Sequence, residues 1–246
     1  MSAGRASLRR SRRDFSWRSE ETEWLDEPNL DPDELAGVLR DLARFNGAML
    51  GHLPVLFWLR RAIAGVPQGR PISLLDVGCG QGDLLRSIRG WARRRGIAIA
   101  LQGVDVNPQT IRIARAATPE RDRIDFAAAD VFRFRPAAPV DLIVSSLLAH
   151  HLGDRAIADL LRWMEATAER GWLVCDLQRH PLPYHLIPLA GKLANVHPVV
   201  VRDGQVSVAR ALVRPEWEAR LDEAGIKRHG VTIRWFLFRY LIGRLR

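Results

Sequence analysis

Residues 74–82 read Leu-Leu-Asp-Val-Gly-Cys-Gly-Gln-Gly, and this stretch decides the fold. A short apolar run over 72–77 leads into the glycines, and apolar residues recur at helical spacing over 83–95. The pattern predicts a strand covered on both faces, a glycine-rich turn and a helix, as in a parallel sheet. Because glycine has no Cβ, such a turn lets backbone N–H groups approach a polar ligand closely. The stretch therefore predicts a site for a nucleotide-type cofactor.

The spacing of the glycines distinguishes two kinds of cofactor site. The glycines stand at Gly78, Gly80 and Gly82, whereas the dinucleotide fingerprint G-x-G-x-x-G requires its third glycine where Asp83 stands. Asp76 and Asp83 would also face a pyrophosphate as two anions, while the ammonium and sulfonium groups of S-adenosylmethionine tolerate them. The balance favours the sulfonium cofactor.

Acidic residues follow at the ends of later predicted strands. A strand at 97–106 contains Asp105, and a strand at 124–130 ends in Asp130. An acid at the carboxyl end of the next parallel strand can accept hydrogen bonds from both ribose hydroxyls. Asp130 and Val131 stand where an adenine amino group could be paired and its ring packed. Together the acids strengthen the prediction of an adenosine-containing cofactor.

At this point the chain resembles class I S-adenosylmethionine-dependent methyltransferases, through LLDVGCGQGDLL, LQGVDVNPQTI, FAAADVF and VDLIVSSLLAHHL in that order. The resemblance covers residues 71–246 and implies an α/β fold. The implied sheet is seven-stranded, mostly parallel and Rossmann-like, with helices on both faces and an antiparallel last strand. The implied cofactor is S-adenosyl-L-methionine, bound by Asp76, Gly78, Gly80, Gly82, Asp105, Val106, Asp130, Val131 and Ser146.

The rest of residues 71–246 is expected to follow the same strand order. The predicted elements are strands at 140–148, 171–177, 226–233 and 236–242, and a helix at 215–224 stopped by Gly225. Between them, 180–214 is predicted to be a substrate-side insertion above the carboxyl ends of the strands, where ligands bind in open α/β sheets. Three prolines up to Pro188 predict that no regular helix or central strand passes through its beginning.

The N-terminal region has two predicted parts. Residues 1–30 predict a flexible arm that is first basic and then acidic, with six arginines in 1–18 and a run of acids without a base over 20–34. Residues 31–70 predict a helical cap, because Asp31-Pro32 is a helix start and a second helix at 53–64 follows. The cap would either wall the substrate pocket or pack on the edge of the sheet.

Composition bounds the classes that remain. The chain has 246 residues, 47% of them hydrophobic, and a net charge of +9 that lies mainly in its two ends. This predicts one catalytic domain with additions; nucleic acid is not the expected partner, although a phosphate-binding arm stays open.

Cys79 and Cys175 form no disulfide framework, which predicts a reducing, cytoplasmic location. No secretory signal and no apolar run of about 20 residues, as a membrane span needs, occurs. The oligomeric state stays open.

The acceptor side has several candidate residues. Methyl transfer requires alignment of the acceptor, exclusion of water and removal of a proton where needed. His150 and His151 follow the fourth predicted strand and are the candidate general bases, with His151 preferred. His180 and Tyr184 are alternatives. In the same region, His185 is a further candidate base, and Arg179 or Arg210 could pair with an acidic substrate group.

The expected substrate is a small, hydrophobic, hydroxylated secondary metabolite: a phenol, quinol or polyketide-like product methylated on oxygen. Phe57, Trp58 and the aromatic C-terminal strand are expected to line its pocket. SSLLAHH stands where methyltransferases of base amines carry an Asn/Asp-Pro-Pro-aromatic motif, and Asp176 alone could serve a catechol-type metal site, so neither reaction and no metal is expected. N- or C-methylation, RNA methylation and a cofactor-binding accessory subunit remain alternatives.

Overall fold

A computed structural model of the chain describes residues 13–27, 29–66 and 70–246. Predictions made for residues 1–12, 28 and 67–69 lie outside this part. Its helices are α1 (Pro32–Ala48), α2 (Leu53–Ala62), α3 (Asp83–Arg93), α4 (Pro108–Ala117), α5 (Asp154–Thr167), α6 (Pro181–Ala194), α7 (Pro198–Arg210) and α8 (Arg214–Glu223). Its strands are β1 (Ile72–Val77), β2 (Ile99–Asp105), β3 (Ile124–Ala128), β4 (Val140–Ser146), β5 (Ala168–Leu177), β6 (Val231–Phe236) and β7 (Arg239–Leu245).

The strands of the described chain form one seven-stranded sheet in the order β3-β2-β1-β4-β5-β7-β6. β7 runs antiparallel to both of its neighbours, β5 and β6, and the other neighbouring pairs are parallel. The predicted fold class is confirmed, including the antiparallel last strand. Chain order reverses between β1 and β4, so the crevice in which ligands bind in such sheets opens beyond the carboxyl ends of these two strands.

Apolar side chains cover both faces of the sheet. Leu74 packs among residues of α2 and α3, whereas its neighbour Leu75 packs among residues of α5 and α8. Successive side chains of a strand point to opposite faces, so an almost continuous apolar run such as β1 is what a strand buried on both sides requires. This core fixes the glycine-rich turn at the edge of the sheet.

The predicted N-terminal cap is present as α1 and α2. The side chain of Asp31 accepts hydrogen bonds from the N–H groups of Asp33 and Glu34, which makes it the N-cap of α1 as its sequence indicates. The preceding residues 13–27, here named the N-terminal strap, were expected to belong to a flexible arm. They instead lie against the domain, because Glu23 is buried and Arg18 reaches the loop before α5.

The insertion at 180–214 differs from its prediction, since it contains two regular helices, α6 and α7. Pro181 and Pro183 lie in the first turn of α6, where N–H groups have no partner within the helix. Pro188 lies inside α6 and cannot bond the carbonyl of Tyr184, but the side chain of Gln205 in α7 donates to that oxygen at 3.1 Å. The prolines are therefore tolerated because a neighbouring helix replaces the missing hydrogen bond.

The predicted boundaries also needed correction. β2, β3 and β4 end one or two residues before their predicted ends, and β5 begins three residues earlier than predicted. The last two strands were placed too early, because the apolar residues Leu237 and Phe238 form a turn rather than the interior of a strand. No helix within the described ranges is long and apolar enough to span a membrane.

Candidate active site

The glycine-rich turn between β1 and α3 has the geometry that its sequence predicts. Gly78 has φ +70° and Gly82 has φ +76°, which is the left-handed region that disfavours residues with a Cβ. A Cβ on Gly78 would stand 2.9 Å from the side chain of Leu148, and one on Gly82 would stand 2.6 Å from Phe126. Both the conformation and the close packing therefore require glycine at these positions.

A cavity of about 130 Å³ opens beside this turn and contains a buried carboxylate without a partner. Asp76 is 2% exposed, and its Oδ1 accepts no hydrogen bond from any described residue. Burial, and then the charges of Asp83 and Asp105, raise the pKa of Asp76 well above its usual value. We name this cavity the methionine-end cavity, after the part of the cofactor predicted to bind there. Its lining includes four of the predicted cofactor residues, namely Asp76, Gly78, Gly80 and Ser146.

The donor set of the cavity fits S-adenosylmethionine. A buried carboxylate beside other carboxylates is stabilised by a cationic group, and the cofactor carries both an ammonium and a sulfonium. A pyrophosphate would add negative charge to the same place. The unpartnered Oδ1 of Asp76 is therefore the observation that favours the sulfonium cofactor.

The residues predicted to hold adenosine lie at the same edge of the sheet but outside this cavity. Asp105 ends β2, and its two carboxylate oxygens accept the N–H groups of Gly80 and Asn107 at 3.0 and 2.9 Å. Val106 is exposed, as is Asp130, whose Oδ1 accepts the N–H of Phe132. Val131 packs partly against the core. Asp105 thus orients the glycine turn, and its side chain is only partly buried.

Two residues of this region were missed from the sequence. His52 places Nε2 3.1 Å from Asp83 and Nδ1 2.8 Å from Ser87, so it links the start of α2 to α3. The buried side chain of Gln81 donates to the carbonyl of Leu39 in α1. Both contacts join the cap to the cofactor turn, and neither has a local sequence signal because the partners are distant in the chain.

A second cavity, of about 380 Å³, continues from the methionine end. The two cavities share Leu42, Asn46 and Leu147 as lining residues. The walls of the larger cavity are mainly apolar and come from α1, α6, α7 and the β6–β7 turn; they include Phe45, Met49, Leu177, Leu186, Ile187, Val200, Leu237 and Phe238. We name it the acceptor cavity.

The two candidate bases, His150 and His151, both line the acceptor cavity. His150 is buried and places Nδ1 2.6 Å from Asp176, while His151 places Nδ1 2.8 Å from Asp26. Their ring centroids are 4.3 Å apart. The short 3-10 turn over Ala149–His151 makes this possible, since it replaces the extended chain that would have sent the two rings to opposite sides.

The carboxylates around the two imidazoles have shifted pKa values. Burial disfavours the charge of Asp176, but the charge of His150 and its hydrogen bond outweigh burial, so the pKa of Asp176 lies below its usual value. Burial raises the pKa of Glu23 to about 7, although His151 and Ser207 lower it in part. Glu23 was not predicted as a site residue, because it belongs to an acidic run that looks like a solvated linker.

Polar contacts hold the N-terminal strap across the acceptor cavity. The carboxylate of Asp203 in α7 accepts the N–H groups of Trp24 and Leu25 at 3.0 and 3.1 Å. Arg210 donates to Asp26 at 2.6 Å and to the carbonyl of His151 at 3.0 Å. Arg210, considered above as a partner for substrate, is therefore already paired within the protein.

Other predicted acceptor residues lie elsewhere. His180 caps α6 by accepting the N–H of Leu182, and Tyr184 packs against Phe15 of the strap; neither lines the acceptor cavity. Arg179 is buried and pairs with Glu216 at 2.7 Å, so it has a structural role rather than that of a substrate ligand. N-capping of α6 accounts for the position of His180, and an ion pair accounts for that of Arg179.

The aromatic residues expected at the acceptor pocket are divided between two places. Phe57 and Trp58 line a different cavity, between α2 and the β6–β7 pair, together with Trp235. Leu237 and Phe238, at the turn of that pair, do line the acceptor cavity. Among the described residues expected to line the acceptor pocket, only those of the turn between β6 and β7 share a cavity with His150 and His151.

Comparison with known proteins agrees with this geometry. A family described as "Methyltransferase domain" matches residues 74–171, from β1 to the middle of β5. Residues 74–171 are thus similar to a methyltransferase domain, and the seven-stranded sheet that contains them has the Rossmann-like fold of class I S-adenosylmethionine-dependent methyltransferases.

Individual relatives share this domain. Trans-aconitate 2-methyltransferase from Azoarcus sp. (strain BH72) is 33% identical over 106 residues, which are 42% of this chain and 39% of the relative. The enzyme of that name from Streptomyces avermitilis is 35% identical over 107 residues, 42% of this chain and 38% of the relative. The chain therefore matches about two fifths of the length of these curated relatives.

Solved structures resemble a larger part of the chain. The plantazolicin methyltransferase, solved with a desmethyl analogue and SAH, gives a TM-score of 0.59 at 16% identity and covers 88% of this chain and 92% of its own. Magnesium protoporphyrin IX methyltransferase from Synechocystis PCC 6803 gives 0.53 at 14% identity, covering 81% and 83%. At such identities the likeness establishes the fold.

Proposed function

We propose that the chain transfers a methyl group from S-adenosyl-L-methionine to a small, apolar, hydroxylated acceptor, by O-methylation of a phenol, quinol or polyketide-like secondary metabolite. The observation that carries this proposal is the junction of the two cavities at Leu42, Asn46 and Leu147. When bound, the cofactor supplies an electrophilic methyl carbon. A junction between a cation-binding cavity and an apolar one is what an in-line transfer to an apolar acceptor requires.

At the cofactor end, the proposed residues bind and orient. Asp76 pairs with the ammonium group, and the turn from Gly78 to Gly82 approaches the methionine moiety with its backbone. Asp105 holds the ribose, and Asp130 with Val131 the adenine. Val106 and Ser146 complete this set. Asp76 has the strongest support, because it is buried, unpartnered and part of the methionine-end cavity.

At the acceptor end, we assign activation of the hydroxyl to His150 and His151. Each has its Nδ1 bonded to a carboxylate, which fixes the ring and leaves Nε2 for the acceptor side. A phenol titrates near 10, so an imidazole that withdraws its proton raises the fraction of nucleophilic oxygenate at pH 7. The apolar walls exclude water from the same place.

The alternatives are less well supported. The names of the sequence relatives suggest an acidic acceptor, but the cavity is lined by the two carboxylates of Glu23 and Asp203 against one guanidinium, that of Arg239, which disfavours a polyanion. RNA methylation would use the basic C-terminus, yet Arg244 and Arg246 both pair with Glu165. N- or C-methylation would use the same cavity, and an accessory subunit would not need the imidazole pair.

Cys79 and Cys175 are both free and buried, which supports a reducing, cytoplasmic location.

The direct test is incubation with S-adenosylmethionine and a panel of phenols, quinols and aromatic polyketides. We expect a product heavier by one methyl group, with the methyl carbon on oxygen by NMR. His150→Asn and His151→Asn should lower kcat by about 10²-fold or more with little change in cofactor affinity, whereas exposed His229→Ala should leave both unchanged. A wild-type protein that binds no S-adenosylmethionine in calorimetry would refute the proposal.

A further inference from the structure

We infer that Glu23, His150 and His151 form a binding site for one divalent transition-metal ion in the wall of the acceptor cavity. One ligand atom from each of the three side chains lies within 4.8 Å of the others. Two imidazoles and one carboxylate, with the remaining positions open, are a common ligand set for zinc, iron and related ions. This site differs from the oxygen-only metal site that the sequence disfavours, because its ligands are mainly nitrogen.

The distances between these side chains match metal ligands better than hydrogen bonds. Nε2 of His150 lies 3.7 Å from Oε1 of Glu23, and Nε2 of His151 lies 3.8 Å from Oε2. Both separations are too long for a hydrogen bond. Two ligand atoms about 2.1 Å from a tetrahedral ion stand about 3.4 Å apart, so a small contraction would close the site around an ion.

The outer contacts of the two imidazoles support the same inference. A histidine that binds a metal usually donates its other ring N–H to a carboxylate, which fixes the ring. Here Asp176 lies 2.6 Å from Nδ1 of His150, and Asp26 lies 2.8 Å from Nδ1 of His151. The two Nε2 atoms are thereby left for Glu23 and for an ion between them.

Charge also favours a cation at this position. Among the ion pairs that the described side chains form with the three ligands, the carboxylates of Glu23, Asp26 and Asp176 face one guanidinium, that of Arg210, while Arg18 contacts only the backbone carbonyl of His150. Arg210 lies 3.9 Å from Glu23 but bonds Asp26 at 2.6 Å, so it compensates mainly the outer carboxylate. Ligands bind a metal in their deprotonated form, and with neutral imidazoles and three ionised carboxylates these side chains carry −3 and +1, a net charge of −2 that one divalent ion balances.

The three ligands also line the acceptor cavity, so an open coordination position would face the acceptor. A hydroxyl bound to such an ion becomes more acidic, so with the ion bound it is the ion, and not the two Nε2 atoms, that would promote the deprotonation assigned above to this histidine pair. The role of the ion in catalysis thus rests on the proposed function, whereas its binding does not. Glu23 belongs to the N-terminal strap, so docking of the strap would complete the site.

The test measures metal binding without cofactor or acceptor. Full-length protein without a histidine tag is stripped with EDTA, dialysed against Zn²⁺ and desalted, and metal is counted by mass spectrometry. We expect about one ion per chain, a rise in melting temperature, and with Co²⁺ a visible absorption spectrum. Glu23→Gln keeps the size of the side chain; it and His151→Asn should each weaken binding by about 100-fold or more, and Asp26→Asn by roughly 10-fold or more.

The matched control is His229→Ala, which removes an exposed imidazole outside the cluster and should bind the ion as the wild type does. Less than a tenth of an equivalent of bound metal in the wild type would overturn the inference, as would equal binding by Glu23→Gln and His151→Asn in folded form. Methyl transfer by a metal-free wild type would refute the role of the ion in catalysis and leave the proposed function in place. Metal binding by a protein that methylates no acceptor would refute the proposed function and leave the metal site in place.

Discussion

Asp76 is the residue on which the proposed choice of cofactor rests. Its carboxylate is buried at the end of β1, and the charges of Asp83 and Asp105 add to the cost of ionising it. The acid is the only charged residue of a mainly apolar strand, which is why the sequence alone could single it out. A ligand ammonium beside Asp76 would supply the opposite charge that the described residues do not provide.

We therefore expect cofactor binding to depend on the ionisation of Asp76. Because its pKa is raised in the free protein and an ammonium favours the carboxylate, binding should release protons, and affinity should fall as pH drops through the raised pKa. Calorimetry in two buffers of different ionisation enthalpy measures the protons released. Asp76→Asn should bind more weakly and lose this pH dependence, while exposed Asp125→Asn should keep it. An unchanged proton count in Asp76→Asn would contradict the assignment.

At the scale of elements, the β6–β7 hairpin shows where sequence patterns mislead. Leu237 and Phe238 form its two-residue turn with φ +43° and +61°. Such turns normally contain Asn and Gly, since both central residues need positive φ. An apolar pair in this position instead predicts the interior of a strand. The strained pair lines the acceptor cavity, which gives a functional reason for keeping it.

Leu237→Asn should therefore stabilise the protein and weaken acceptor binding. Asn tolerates the left-handed region at lower cost, so we expect a gain of about 1 kcal/mol in the free energy of unfolding. Loss of apolar contact should raise the KM for the acceptor roughly fivefold. Leu50→Asn is the matched control, because Leu50 has φ +54° and is exposed but lines no part of the acceptor cavity.

Urea unfolding and acceptor kinetics measure the two effects separately. Leu50→Asn should raise stability alone. Equal effects of the two substitutions on KM would remove Leu237 from the acceptor wall, and a loss of stability in both would mean that the turn conformation is not strained.

The helices of the insertion mark a second limit of prediction. Three prolines excluded a helix on local grounds, and α6 exists because Gln205 of α7 bonds the carbonyl that Pro188 leaves free. The strand–turn–helix at Gly78, by contrast, follows from neighbouring residues and was predicted correctly. Elements whose conformation depends on neighbouring residues could be predicted from the sequence. A helix such as α6, which depends on a hydrogen bond from a residue distant in the chain, could not.

On the scale of the whole molecule, the N-terminal strap connects parts that are distant in sequence. Arg18 pairs with Asp154 in α5, Glu23 accepts a hydrogen bond from Ser207 in α7, and Asp203 caps the strap. An acidic run without bases is typical of a solvated linker, so nothing local predicted that it would cover a cavity. The carboxylates of Glu23 and Asp26 gain charged partners only in the folded chain, where His151 and Arg210 lie beside them.

We expect Asp203→Ala to loosen the strap and to impair acceptor binding while sparing the cofactor. Asp203 accepts two backbone N–H groups of the strap, and a hydrogen bond to a charged group contributes about 1.5–3 kcal/mol. Apparent acceptor affinity falls in proportion to the fraction of protein in which the strap is docked, so the KM for the acceptor should rise roughly 10-fold or more. Limited proteolysis should cut within 13–27 faster, and the Kd for S-adenosylmethionine should stay unchanged. Exposed Lys192→Ala, on the neighbouring helix α6 and outside the lining of the acceptor cavity, is the control and should change none of the three. Faster proteolysis with an unaltered KM would show that the strap covers the domain without forming part of the acceptor site.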